Sequence, residues 1–163
     1  MPAQSRAAYS FGDMLALARQ SWLREMDSRL DRAGYPGYRR SDAAVLRTLW
    51  RGPAPVGRLG TVLGVTRQAA RKVADALVQR GYAATERDSA DARQLNVILT
   101  PVGQDYARAI RAVIEELNRE LSARVDPAQL AAADAVLRAA LFDDSTRQRA
   151  SRLSRPPDGS AGA

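Results

Sequence analysis

A mainly α-helical fold with one small β-hairpin, of the α+β class, is predicted for this chain of 163 residues. Three observations carry the prediction. Apolar residues recur every three or four positions along most of the chain, the spacing of one helix face. Residues that cap or stop helices interrupt that pattern repeatedly. A single stretch, Tyr82 to Leu99, changes to strand-like composition around a polar loop.

The first ten residues carry no pattern and read as a flexible N-terminus. From Phe11 to about Ala33, the residues Phe11, Leu15, Trp22, Met26 and Leu30 form one helical stripe, which Gly34-Tyr35-Pro36-Gly37 stops. Ser41 is a good N-cap for a second helix carrying Val45, Leu46 and Leu49, ended by Gly52-Pro53. Pro55 to Leu63 reads as a short third helix, and Gly64-Val65 as a tight turn. Thr66 caps a fourth helix that reaches Arg80 and stops at Gly81. Its expected buried stripe is Ala70, Val73, Ala74, Leu77 and Val78. Tyr82–Arg87 and Leu95–Leu99 are the two hairpin strands, the second with Leu95, Val97 and Leu99 on one face. Thr100-Pro101 starts a long helix to about Val125, with Val102, Tyr106, Ile110, Val113, Leu117, Leu121 and Val125 as its stripe. Asp126-Pro127 starts the last one, with Gln129 placed for a capping box and Leu130, Val136, Leu137 and Leu141 as its apolar face. Residues 143–163 lack periodicity and read as a disordered basic tail. Its Arg147, Arg149, Arg152 and Arg155 are either solvated, the favoured reading, or in contact with phosphates.

Composition narrows the function. Cysteine and histidine are both absent. Thiolate chemistry, disulfides, the commonest general base and the commonest metal ligand are therefore excluded. No catalytic arrangement is recognisable among the remaining groups, so the chain is not expected to be an enzyme, and no metal or cofactor is expected. Nothing approaches a membrane span or a signal peptide, and a cytoplasmic location is the default. The net charge is +7, and residues 38–93 alone, with 11 basic and 5 acidic groups, carry +6 of it. A charge excess gathered in one block is the footprint of a polyanion-binding module.

That block contains two short helices joined by Gly64-Val65. A helix-turn-helix needs a small residue where the helices cross and a turn residue tolerant of positive φ; Gly60 and Gly64 meet the two needs. The fourth helix then presents Arg67, Gln68, Arg71 and Lys72 opposite its apolar stripe, crowded into the half that enters the major groove in such motifs. Arg and Gln can read guanine and adenine bidentately. A hairpin directly after the motif makes it a winged helix-turn-helix. The wing tip spans residues 88–93, where Arg93 reaches for a minor groove and Asp91 pairs with it and aims it.

Two stretches resemble the MarR family of winged-helix regulators. One is Leu63-Gly64-Val65-Thr66-Arg67-Gln68-Ala69, followed by Leu77-Val78-Gln79-Arg80-Gly81-Tyr82. The other is Arg87-Asp88, then Asp91-Ala92-Arg93, then Val97-Ile98-Leu99-Thr100-Pro101-Val102-Gly103. The resemblance implies a single domain over residues 11–142. Its winged helix-turn-helix covers about 38–100, flanked by dimerisation helices at 11–33 and 101–142. It implies double-stranded DNA as partner, a homodimer, and a pseudo-palindromic site with half-sites about one helical turn apart. The expected DNA contacts are Thr66, Arg67, Gln68, Arg71, Lys72, Arg87, Asp91 and Arg93, with Arg58 on phosphate. Many members release DNA on binding a small aromatic or phenolic effector between the dimerisation helices and the winged helix. Trp22, Met26, Trp50 and Tyr106 are the lining candidates, and plain core is the more economical reading of all four. Two positions depart from the family pattern: Gly60 replaces the usual Ala, and Ala92 stands where a second wing Arg is common. The leading expectation is a ligand-responsive regulator, in most such cases a repressor. Two rivals are a winged helix used for protein contact and a non-specific nucleic-acid coat.

Overall fold

The computed structural model describes residues 10–88 and 95–153. The element order is α1 (Phe11–Arg32), α2 (Arg40–Leu49), β1 (Ala54–Pro55), α3 (Val56–Leu63), α4 (Arg67–Gln79), β2 (Ala83–Arg87), β3 (Leu95–Leu99), α5 (Pro101–Ser122), α6 (Pro127–Ala139) and α7 (Asp144–Leu153). The predicted mainly α class with a small hairpin is what the chain adopts, and residues 89–94, which hold all of the predicted wing tip but Asp88, lie outside the described residues.

Local chemistry explains most boundaries. Thr66 Oγ1 accepts from Ala69 N at 3.2 Å, Thr100 Oγ1 from Gly103 N at 3.0 Å, and Asp126 Oδ1 from Gln129 N at 2.8 Å. Each satisfies an amide that a helix start leaves without an intrahelical partner. Gln129 Oε1 accepts in return from Asp126 N at 2.9 Å, completing the expected capping box.

Three boundaries differ from expectation. Helix α2 begins one residue before Ser41. Arg39 is its N-cap, and its amide donates to Asp42 Oδ2 at 3.1 Å, so Asp42 rather than Ser41 organises the turn. Ala54-Pro55 is a strand instead of the start of α3, pairing with β3 in the register Ala54↔Val97 and Pro55↔Asn96. The sheet is antiparallel, in the order β1-β3-β2. Because β3 is central only along its inner part, Val97 is buried while Leu95, beyond the end of β1, is exposed. The third difference is the tail. Residues 144–153, read as disordered, form α7. Asp143 caps it, accepting from Thr146 N at 2.8 Å and from Ser145 Oγ at 2.6 Å, and those bonds hold its carboxyl well below the usual carboxylate range. Arg147 ties α7 to the end of α6 through the Leu141 and Phe142 carbonyls. The guanidinium of Arg149 occupies the space beside Gly64. These are capping and long-range contacts, which apolar periodicity does not register.

The core joins Met26 and Leu30 of α1 to Val45, Leu46 and Leu49 of α2, Leu59 of α3, Ala70, Ala74 and Leu77 of α4, and Tyr106, Ile110, Val113 and Leu117 of α5. Arg29 of α1 clamps α5 by donating both terminal nitrogens to Glu120, at 2.6 and 2.8 Å. These bonds hold the Glu120 carboxyl below its ordinary range. Apolar surface nevertheless remains uncovered. Phe11, Met14, Leu15 and Leu17 of α1 are exposed, as are Leu121 of α5, Val136 and Leu137 of α6, and Phe142. No helix of the described residues is long and apolar enough to cross a membrane.

Candidate nucleic-acid interface

The interface is built on the crossing of α3 and α4. Gly64 ends α3 at φ 68°, ψ 38°, the left-handed conformation that glycine adopts without strain. A methyl group on Gly60 would stand 3.2 Å from Val65 O and 3.5 Å from Ala70 Cβ. The first distance is tighter than ordinary contact, so a small residue suits the close crossing that the helix-turn-helix reading placed here. Behind the crossing, Leu59, Ala70, Ala74 and Leu77 are buried and fix α4 to the body. Val78, predicted to join them, is exposed, because it lies at the edge of the buried stripe near the helix end.

On the outer face Thr66, Arg67, Gln68, Arg71 and Lys72 are all exposed. All five side chains carry a donor that can reach bases or phosphates without first leaving a buried partner. Arg71 pairs with Asp75, one turn on, through Nε at 3.0 Å. Both side chains are more than half exposed, so the pair contributes little stability. Its effect is to steady the stem of Arg71, and the pair does not use the two terminal nitrogens that a guanine edge would take. Arg58 is exposed on α3. Arg87 is exposed at the end of β2, opposite Leu95. Asp91 and Arg93 lie outside the described residues. Their neighbour Asp88 is turned inward, its Oδ2 accepting from Asn96 Nδ2 at 2.7 Å. Asn96 is a buried polar group on β3, so Asp88 belongs to the base of the hairpin.

The four aromatic and thioether candidates separate. Met26 and Tyr106 are wholly buried in the core, Trp22 is partly buried against it, and Trp50 is 52% exposed at the C-cap of α2. Tyr106 is the centre of a feature that periodicity did not reveal. Its ring stacks on Tyr82 at 4.2 Å and on Tyr35 at 5.3 Å. Its hydroxyl donates to Asp42 Oδ2 at 2.9 Å. Burial and the charge of Asp42 push that hydroxyl well above the usual tyrosine range. Asp42 is 1% exposed and also accepts from Arg80 Nη1 at 2.7 Å. Burial opposes the charge on Arg80, but its bonds to Asp42 and Tyr106 outweigh that effect and hold the guanidinium above its ordinary value. The sequence gives little signal for this cluster, since Asp42 follows Arg39-Arg40-Ser41 in the first turn of a helix, where an acidic residue is ordinary.

Comparison with known proteins agrees with this geometry. The model of the MarR family matches residues 37–94, from the loop before α2 into the hairpin. No curated protein matches the chain by sequence. Among solved structures, a probable transcriptional regulator from Pseudomonas aeruginosa is 24% identical, covering 81% of this chain and 97% of its own, with a TM-score of 0.66. BpsR from Bordetella bronchiseptica, whose DNA binding is regulated by 6-hydroxynicotinic acid, is 21% identical, covering 85% and 98%, with a TM-score of 0.67. An S. aureus MepR variant bound to an oligodeoxyribonucleotide is 14% identical, covering 79% and 94%, with a TM-score of 0.54. The MarR family match thus lies on the helix-turn-helix and the hairpin, and most of the chain shares its fold with these structures.

Proposed function

We propose that this chain is a cytoplasmic, homodimeric repressor that reads a pseudo-palindromic operator with α4 and is released by a small aromatic effector. One observation carries the reading. The exposed cations and amide of α4 stand on its N-terminal half, directly after a left-handed glycine turn, while its other face is locked into the core. That is the arrangement by which a helix-turn-helix inserts side chains into a major groove. The uncovered apolar residues of α1 and α6 support the dimer, since a two-fold mate supplies the missing cover. Regulation of BpsR by an aromatic acid supports the effector class.

The test is selection of bound duplexes from a random-sequence pool by the purified protein, followed by titration against a scrambled duplex at several salt concentrations. A preference of at least about a thousandfold for the selected sequence is expected. A ratio near one would sink the reading. Arg71→Ala is expected to lose about 1–3 kcal/mol of discrimination, the size of one bidentate base contact. Arg58→Ala should instead weaken both duplexes alike and reduce the salt slope by about one. Equal losses on both duplexes for Arg71→Ala would refute that division of roles.

A further inference from the structure

Asp42, Arg80 and Tyr106 come from α2, the C-cap of α4, and α5, and they meet on a single carboxylate oxygen. Asp42 Oδ2 accepts from Arg39 N at 3.1 Å, Arg80 Nη1 at 2.7 Å and Tyr106 Oη at 2.9 Å. Arg80 Nη2 also reaches the Tyr106 hydroxyl at 3.3 Å, and its guanidinium lies 4.8 Å from the Tyr82 ring centroid. A buried carboxylate is costly unless charged and polar donors surround it, and here they do. Yet a buried ion pair is a poor source of stability next to apolar packing of the same volume. What it supplies is one geometry, because the planar fork of Arg80 and the hydroxyl direction both restrict how the helices can sit.

The position of this cluster gives that restriction a use. Arg80 terminates α4, whose other end carries Arg67, Gln68, Arg71 and Lys72. The 13 residues of α4 form a rod of about 20 Å, so tilt allowed at Arg80 passes along it to the reading end. Tyr106 belongs to α5, which runs on through buried Leu117 to exposed Leu121. The hydroxyl of Tyr106 is thus where α5 touches the anchor of α4. We infer that Asp42, Arg80 and Tyr106 are positioning residues that set the pose of α4 in the groove and tie it to the position of α5. The inference rests on the reading of α4 as a DNA-recognition helix.

Tyr106→Phe isolates the effect, since it keeps the stacked ring and removes the hydroxyl. The probes are the duplex selected by the wild-type protein and its scrambled counterpart, with α4 amide hydrogen exchange as a second readout. For folded Tyr106→Phe, affinity for the selected duplex is expected to fall about tenfold, the scale of one hydrogen bond to a charged group. Affinity for the scrambled duplex should stay within about twofold, because phosphate contact does not depend on exact pose. Amides of residues 67–79 should exchange faster. A lower melting temperature with unchanged duplex preference and unchanged α4 exchange would mean a purely structural role and would overturn the inference. If Tyr106→Phe does not fold, Arg80→Lys, which keeps the charge and loses the fork, takes the same measurements under the same criteria. If the wild-type protein does not discriminate between duplexes, the regulator reading fails and the inference falls with it, whereas a discriminating wild type with an unchanged preference in Tyr106→Phe overturns the inference alone.

Discussion

Gly103→Ala is expected to lower stability by about 3 kcal/mol or more, at the upper end of what overpacking costs. For a domain of this size that is a fall in melting temperature of roughly 6–12 °C. Helix propensity alone gives the opposite sign, since alanine in place of a helical glycine gains about 0.5–1 kcal/mol. The structure reverses it because the first turn of α5 lies directly on the backbone between α4 and β2. A methyl group on Gly103 would overlap the carbonyl oxygen of Tyr82 and stand 2.7 Å from its carbonyl carbon. Backbone cannot rotate aside as a long side chain can. The same corner is tied by Thr100, whose Oγ1 donates to Gly81 O at 2.6 Å and whose amide donates to Tyr82 O at 3.3 Å. Thermal unfolding followed by circular dichroism checks the prediction, and a melting temperature at or above the wild-type value would refute it.

The double substitution Leu17→Glu with Val136→Glu is expected to convert a dimer of twice 17.7 kDa into a monomer of 17.7 kDa. Both side chains are about half exposed in the single chain, Leu17 at 49% and Val136 at 50%. Charging such positions alters the stability of a lone subunit by only about 0.5 kcal/mol. In a dimer that covers them, the same carboxylates are buried without partners. Operator affinity should fall by about a hundredfold or more, because two linked reading helices become two separate ones. Light scattering and duplex titration measure both effects. A wild-type protein that is monomeric at micromolar concentration, or a double variant that stays dimeric, would count against the interface.

How far the sequence could be read follows the range of each interaction. The caps at Thr66, Thr100 and Asp126 are bonds across three residues, so residue type and spacing were enough to find them. The turn at Gly64 is equally local. The outward face of α4 follows from 3.6-residue periodicity acting on Ala70, Ala74 and Leu77, which leaves Arg67, Gln68, Arg71 and Lys72 no direction but outward. These elements define the basic helix α4 that we propose reads DNA, and all of them were legible.

Other features join residues far apart in the chain. The carboxylate of Asp42 meets Arg80 across 38 positions and Tyr106 across 64. Ala54-Pro55 becomes a strand only because β3 lies alongside to receive it. Arg149 folds back beside Gly64 from a segment with no apolar stripe. The sequence by itself determined where α4, α5 and α6 start, which face of α4 is basic and where its turn falls, since each depends on neighbours within a turn or two. Only the tertiary structure decided that Gly103 lies against backbone, that the buried Asp42 meets Arg80 and Tyr106, and that Phe11, Met14, Leu15 and Leu17 of α1 and Val136 and Leu137 of α6 stay uncovered within one chain. Those outcomes depend on which surfaces meet, and packing between distant segments leaves no periodic trace in either of them.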